Sequence, residues 1–445
     1  MAETEMRKER AILAGVDLGN EDDFSYSMEE LGSLAKACDM EIVGVLTQRM
    51  EMLHKSLYFG RGKAEELKIF AREAEADVIL FNDALSPSQL RNLQQMTEKP
   101  VLDRTSLILE IFSQRARTRE AKLQVETARL QYLLPRLVGM HEALSRQGGG
   151  SGLANKGAGE KKLELDRRRI EHRLAQLRKE LETVSQERQT QRKKRLASSL
   201  PLVALAGYTN AGKSTLMNRL LERHGGDDSK KVLEKDMLFA TLETTVRQIA
   251  LPDNRRFLLS DTVGFIHKLP TGLIQAFRST LEEVKNADLI VHVVDCADRN
   301  YKNQMKVTEE TLAELGCAGI PVIYVMNKAD LCRDDFPALQ GTNRIYMAAG
   351  KGIGLEMLAE LIGEKLFGGY RRVRFMIPYE KGQIVSYLME HARICRTEYT
   401  EDGICITADC SREDCERNRA YIMKGYENEN DSGRRDYPAH SGNVH

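Results

Sequence analysis

No run of about 18 apolar residues occurs in this chain of 445 residues, and its opening, MAETEMRKER, is charged and has no apolar signal core. The expectation is a cytoplasmic protein with no membrane partner. Net charge is missing too, since 66 Lys and Arg balance 66 Asp and Glu. Bulk charge therefore gives no argument for a nucleic-acid partner, DNA is not expected, and only local patches could provide such a contact. The eight cysteines contain no Cys-x-x-Cys pair, and the five-residue spacing of Cys405, Cys410 and Cys415 fits no common zinc site. Scattered reduced thiols are the expectation. What is present, 42% hydrophobic and 30% charged residues, suits a soluble globular protein. A chain this long divides into roughly two to four domains.

The most informative stretch is Pro201 to Thr215, PLVALAGYTNAGKST. Leu202 to Ala206 is a continuous apolar run, as expected of a buried parallel strand. It breaks into Gly207-Tyr208-Thr209-Asn210-Ala211-Gly212-Lys213-Ser214, a match to the phosphate-binding pattern G-x-x-x-x-G-K-[ST]. The two glycines let backbone N–H groups converge on phosphate oxygens, and the following helix adds the positive end of its dipole. Lys213 can reach the β- and γ-phosphates, Ser214 can offer its hydroxyl to Mg²⁺, and Thr215 after it is counted with the nucleotide-binding residues.

Base choice comes from Asn327-Lys328-Ala329-Asp330, after the apolar strand Val322–Met326. The Asp330 carboxylate can accept from both guanine N1–H and the 2-amino group, which adenine cannot match. Lys328 can lay its stem on the base, and Asn327 ties this loop to the phosphate loop. GTP or GDP is the expected ligand. The guanine carbonyl is expected to meet a backbone N–H in the segment around Ala348 and Ala349. Asp261-Thr262-Val263-Gly264 follows a further strand, so that Asp261 would hold Mg²⁺ through water and the Gly264 N–H would reach the γ-phosphate. Between these lies Phe239-Ala240-Thr241-Leu242-Glu243, where Thr241 is the expected ligand of Mg²⁺ and γ-phosphate, with Thr244 and Thr245 as rivals. Lys213, Thr241 and Gly264 are the candidate catalytic groups. The segments around Thr241 and Gly264 are expected to order on γ-phosphate and relax after hydrolysis.

The fold expected is multidomain α/β. Residues 1–110 alternate strands and helices as a small parallel α/β domain, with Gly60-Arg61-Gly62-Lys63 read as an ordinary turn in preference to an anion-binding one. Residues 111–199 read as a helical hairpin. Its first helix ends near Pro135, a glycine-rich tip runs through Gly159, and a second helix begins near Glu160. Leu163, Ile170, Leu177 and Val184, with Leu174 and Leu181 between, form a coiled-coil seam. Residues 161–200 hold 13 Lys/Arg against six Asp/Glu. That charge is either a solvated face or a contact for nucleic-acid backbone. Residues 200–368 form the nucleotide domain with a parallel-type sheet. Residues 369–427 are a small α+β domain, and 428–445 are a polar tail expected to be disordered.

The series G-Y-T-N-A-G-K-S, F-A-T-L, D-T-V-G-F-I and N-K-A-D resembles the HflX family of translation-factor-class GTPases. So do Y-F-G-R-G-K-A-E-E-L, L-S-P-S-Q-L-R-N-L, V-L-D-R-T, Q-R-A-R-T-R-E-A-K-L-Q-V-E and L-Q-Y-L-L-P-R-L-V-G-M outside the nucleotide domain, over roughly residues 11 to 365. The resemblance implies a ribosome-associated GTPase that binds the large ribosomal subunit and its rRNA, linked to splitting or rescuing ribosomes under stress. Three departures stand out: the glycine-rich tip differs from the family's usual G-G-G-I-G-T-R-G-P-G-E-T-Q-L-E, Glu243-Thr244 replaces Asp-Pro, and Ala348 replaces a serine. Phe265 occupies the position where many regulatory GTPases carry a water-orienting glutamine, so slow intrinsic turnover stimulated by a partner is expected. Asn210 is a candidate to hold K⁺ in place of an arginine finger, or simply to brace the loop. A general RNA-binding module and a scaffold for protein partners are the alternative readings.

Overall fold

The computed structural model describes residues 7–19, 24–146, 153–196, 200–225, 239, 245–252, 255–268 and 283–423. The N-terminal region is built from β1 (Arg10–Asp17), α1 (Phe24–Ala37), β2 (Glu41–Arg49), α2 (Arg61–Glu73), β3 (Val78–Phe81), α3 (Pro87–Thr97), β4 (Val101–Asp103) and α4 (Arg104–Arg115). Its strands form one parallel sheet in the order β2-β1-β3-β4. Buried on both faces, β1 and β3 read as unbroken apolar runs. Helix α3 starts where Ser86 accepts from the Gln89 N–H while the Gln89 side chain returns to the Ser86 N–H, with Pro87 at the first helical position. Helix α4 straddles the boundary expected at residue 110, because Leu107, Ile108, Ile111 and Phe112 pack into the same core as Leu13 and Leu31.

The hairpin follows as α5 (Arg119–Arg146) and α6 (Leu153–Leu196). It runs antiparallel, as the pairs Arg173–Glu126 at 2.7 Å and Arg119–Glu180 at 3.4 Å require. Two helix limits differ from expectation. Pro135 lies inside α5 rather than ending it, since packing of α5 on α3, α4 and α6 outweighs the lost hydrogen bond. Gly157 to Gly159 lie inside α6 rather than in the break, because two glycines cost about 1 kcal/mol each among good helix formers such as Ala, Glu, Lys and Leu. Along the expected seam Leu174 and Leu177 are buried, and Ile170, Leu181 and Val184 are partly covered.

Residues 200–368, the expected nucleotide domain, hold a seven-stranded sheet in the order β10-β11-β9-β8-β5-β7-β6. The strands are β5 (Leu202–Gly207), β6 (Thr245–Ala250), β7 (Arg256–Asp261), β8 (Leu289–Asp295), β9 (Val322–Asn327), β10 (Ala338–Gln340) and β11 (Arg344–Tyr346). Helices α7 (Lys213–His224), α8 (Tyr301–Glu314) and α9 (Leu355–Phe367) flank them. The five central strands are parallel, and only the edges β6 and β10 run antiparallel. Strand β5 is central, so the loop at its carboxyl end opens onto the crevice where open α/β sheets bind ligands. The C-terminal domain is an antiparallel sheet, β12-β14-β13 (Arg371–Ile377, Gly403–Cys410, Arg393–Thr400), carrying α10 (Gly382–His391) and α11 (Arg412–Arg417). The tail beyond residue 423 lies outside the described residues.

One apolar cluster joins the N-terminal region to the seven-stranded domain. Leu31, Leu34 and Phe112 share it with Phe239, Val263, Phe265 and Ile266.

Candidate nucleotide site

Two glycines shape the loop after β5. At Gly207 (φ +149°) a Cβ would fall 2.2 Å from the Val293 carbonyl oxygen, and at Gly212 (φ +94°) 2.3 Å from Asn327 Nδ2. No other residue fits either place. Between them Tyr208, Thr209 and Ala211 are buried, whereas Asn210 is exposed at φ +60°. Helix α7 begins at Lys213, so its first-turn N–H groups and its dipole face the loop. Thr215 sits half-buried on its first turn.

Several expected groups converge here. Lys213 is buried, and its Nζ donates to the carbonyls of Gly207 (3.0 Å) and Tyr208 (2.7 Å). Burial lowers its pKa to about 8, against the opposing pull of Asp261. Ser214 Oγ donates to Asp261 Oδ2 at 2.7 Å, and Thr262 Oγ1 donates to the Leu205 carbonyl at 2.6 Å. A hydroxyl beside a fully buried carboxylate is the hard-oxygen donor set that Mg²⁺ prefers, so these residues fit that ion. Gly264 is pressed against the loop: a Cβ there would lie 2.8 Å from Thr209 Cγ2 and 3.1 Å from Lys213 Nζ. Backbone bonds stitch the segment down, with Thr209 N–H donating to Phe265 O (2.8 Å) and Phe265 N–H to Gly207 O (3.1 Å). The buried Thr209 Oγ1 has no hydrogen-bond partner among the described residues.

Phe239 is turned into the interdomain cluster, its ring edge-on to Phe112 at 4.7 Å. Ala240, Thr241, Leu242, Glu243 and Thr244 lie outside the described residues. Thr245 opens β6 and pairs in register with Asp261.

Asn327 ties three loops together. Its Nδ2 donates to the Ala211 carbonyl (2.8 Å) and its Oδ1 accepts from the Ala349 N–H (2.9 Å). The Ala348 N–H is engaged as well, by the Ile353 carbonyl at 3.1 Å. Lys328, at φ +59°, turns the chain, and its ammonium pairs with Asp295 at 2.7 Å. Asp330 is held 3.0 Å from Lys351.

Sequence reading missed a second set of groups against this site. Tyr208 in the phosphate loop donates its hydroxyl to Glu30 of α1 and accepts from the His267 N–H at 2.7 Å. Glu30 is paired with the buried Arg104, which also donates to Asn82 Oδ1 (3.0 Å) and to the His267 carbonyl (3.2 Å). Lys268 reaches Asp83 at 2.7 Å. Burial, then the Glu30 charge, pushes the Tyr208 hydroxyl far above its usual pKa, so it stays protonated. One signal was available: Glu30 interrupts the face formed by Ser27, Leu31 and Leu34 on α1, an unusual place for a lone carboxylate.

Three family models cover most of the chain. They are described as GTP-binding GTPase N-terminal (residues 25–113), GTP-binding GTPase Middle Region (115–195) and 50S ribosome-binding GTPase (202–328). A GTPase HflX of Caldanaerobacter subterraneus subsp. tengcongensis is 44% identical over 95% of this chain and 96% of its own. That of Alkalihalophilus pseudofirmus is 43% identical over 95% of each chain. That of Escherichia coli is 38% identical over 89% of this chain and 92% of its own. With the phosphate loop, the Asp261–Gly264 segment and the Asn327 junction in one crevice, the chain belongs to the HflX family of GTPases.

Proposed function

We propose that the chain is a GTP-hydrolysing switch that binds the large ribosomal subunit and its rRNA, and that it splits or rescues ribosomes under stress. The observation that carries this reading is the convergence of Lys213, Ser214, Asp261 and Gly264 at one end of β5, joined by Asn327 to the Asp330 turn. Lys213 would meet the β- and γ-phosphates, and Asp330 the guanine edge. Ser214 and Thr241 would hold Mg²⁺ directly and Asp261 through water; the ion would neutralise phosphate charge.

Phe265 is buried in the interdomain cluster, so its side chain offers the attacking water no hydrogen bond. Turnover is therefore slow until a partner completes the site. Asn210, exposed on the loop, is the group that would hold K⁺. Because His267 and Lys268 bond to Tyr208, Arg104 and Asp83, movement of the Gly264 segment would reach the N-terminal region directly. GTP then favours the conformer that binds ribosomal RNA, and hydrolysis releases it.

The basic face of α6 supports the RNA contact, although Arg167, Arg168 and Arg169 each carry a local acidic partner, Glu171, Glu164 and Asp166. Exposed pairs of this kind are weak and exchange readily for phosphate. The deciding experiment is GTP turnover with and without purified large subunits, in K⁺ and in Na⁺ buffer. Strong stimulation in K⁺ is expected. Turnover that ribosomes leave unchanged would overturn the ribosome-activated switch, and equal rates in the two buffers would remove K⁺.

A further inference from the structure

Behind the Asn327–Asp330 turn two thiols touch. Cys296 follows β8 directly, and its Sγ lies 3.4 Å from the Sγ of Cys332 at the end of the turn. Cys296 is anchored, since both its N–H and its thiol donate to the Asn327 carbonyl at 3.0 Å. Cys332 is exposed, and its N–H donates to the Ala329 carbonyl at 3.1 Å. None of the eight cysteines is in a disulfide. The pair therefore brackets the segment that would read guanine, one sulfur on the rigid sheet and the other on the turn.

We propose that Cys296 and Cys332 are an oxidative modification site: a peroxide closes them to a disulfide across the base of the turn, and this weakens guanine-nucleotide binding. The inference rests on the nucleotide reading above. The exposed Cys332, as thiolate, attacks one peroxide oxygen. An S–O bond forms, the O–O bond breaks, and hydroxide leaves and is protonated to water. The Cys296 sulfur then attacks the sulfenic sulfur, an S–S bond forms, the S–O bond breaks, and the Cys296 proton leaves with the departing hydroxide as a second water. In total two thiols and one hydrogen peroxide give one disulfide and two waters, the thiols supplying both electrons. Burial, then the Cys332 contact, pushes the Cys296 thiol up to about 12, so the exposed Cys332 rather than Cys296 makes the first attack on peroxide.

The effect on the ligand follows from distance. A disulfide requires about 2.05 Å between sulfurs, so the contact of 3.4 Å must close by more than an ångström. Cys332 is two residues from Asp330, and Cys296 must give up its thiol bond to Asn327, the residue that joins this turn to the phosphate loop. A carboxylate accepting two hydrogen bonds from one base edge tolerates a few tenths of an ångström. Loss of one such bond lowers affinity by about tenfold.

The test uses the full chain, reduced or treated with hydrogen peroxide, with peptide mass mapping and titration of a fluorescent GDP. Expected are a reductant-reversible Cys296–Cys332 peptide pair two hydrogens lighter, about tenfold weaker GDP binding after oxidation, and no such weakening in Cys332→Ser, whose reduced affinity is unchanged. Cys296→Ser should likewise yield no cross-link. Peroxide that oxidises other thiols without joining these two overturns the site, and a disulfide with unchanged GDP affinity overturns its effect. Reduced protein that fails to prefer GDP over ADP overturns the nucleotide reading instead, with the disulfide still scored by mass.

Discussion

Replacing Tyr208 by Phe removes one oxygen from the phosphate loop and leaves the ring. The side chain is 5% exposed, so water cannot take the place of the lost hydroxyl. Two hydrogen bonds go: the one donated to the Glu30 carboxylate and the one accepted from the His267 N–H at 2.7 Å. A bond to a charged group is worth about 1.5–3 kcal/mol and one to a neutral amide about 0.5–1.5. The expected loss is therefore about 3 kcal/mol, all of it at the contact between the N-terminal region and the segment after Gly264. At about 2 °C per kcal/mol for a large cooperative unit, the melting temperature should fall by about 6 °C. Amide exchange at His267 should accelerate, because its acceptor is gone. A shift below about 1 °C with unchanged exchange at His267 would refute the reasoning, showing that the two regions are not latched through this hydroxyl.

Four further outcomes are expected. Burial lowers the pKa of Lys213 to about 8 from its ordinary 10.5, so between these values the unfolded chain binds a proton that the folded one lacks. This group therefore makes stability rise with pH across that window, while nucleotide affinity, which needs the ammonium, falls by about tenfold per unit above pH 8; titrations at pH 7, 8 and 9 check this, and Lys213→Met should flatten the profile. Gly264→Ala places a Cβ 2.9 Å from the Thr209 Cα and should abolish turnover while the circular dichroism spectrum is retained. Asn327→Ala strips partners from the Ala211 carbonyl and the Ala349 N–H, two groups in the buried junction, and should weaken GDP binding by about 10–100-fold. Reversing Arg167, Arg168 and Arg169 to Glu should leave intrinsic turnover intact and, if all three meet phosphates, reduce the slope of log affinity for large subunits against log salt by about three.

The nucleotide motifs were legible because each is local: a strand, a turn and a helix start within eight residues, with glycines at Gly207 and Gly212 where nothing larger fits. The helix limits at Pro135 and Gly157 were not: packing of α5 on its neighbours outweighs the proline, and the good helix formers around Gly157 carry two glycines at about 1 kcal/mol each. The contact of Tyr208 with Glu30 joins residues 178 positions apart, and no periodicity within either segment records it. The meeting of Cys296 with Cys332 was likewise invisible, since neither common cysteine spacing nor charge marks a pair 36 residues apart. The short strands β6 and β10, at the edges of the sheet among the described residues, carry little apolar pattern because most of their residues are only partly buried.

Helix α6 runs for 44 residues, which at 1.5 Å per residue is about 66 Å. A rigid rod of that length is an amplifier of angle. A rotation of about 5° at one end carries the other about 6 Å, roughly the pitch of one helical turn. Its partner α5 packs on α3 and α4, and α4 carries the Arg104 that grips the His267 carbonyl. Adjustments too small to break a hydrogen bond beside Gly264 can therefore arrive at the far end of the hairpin as a displacement on the scale of a nucleotide. On the proposed switch, the reach of the hairpin would be set by leverage, not by the size of the motion at the phosphate.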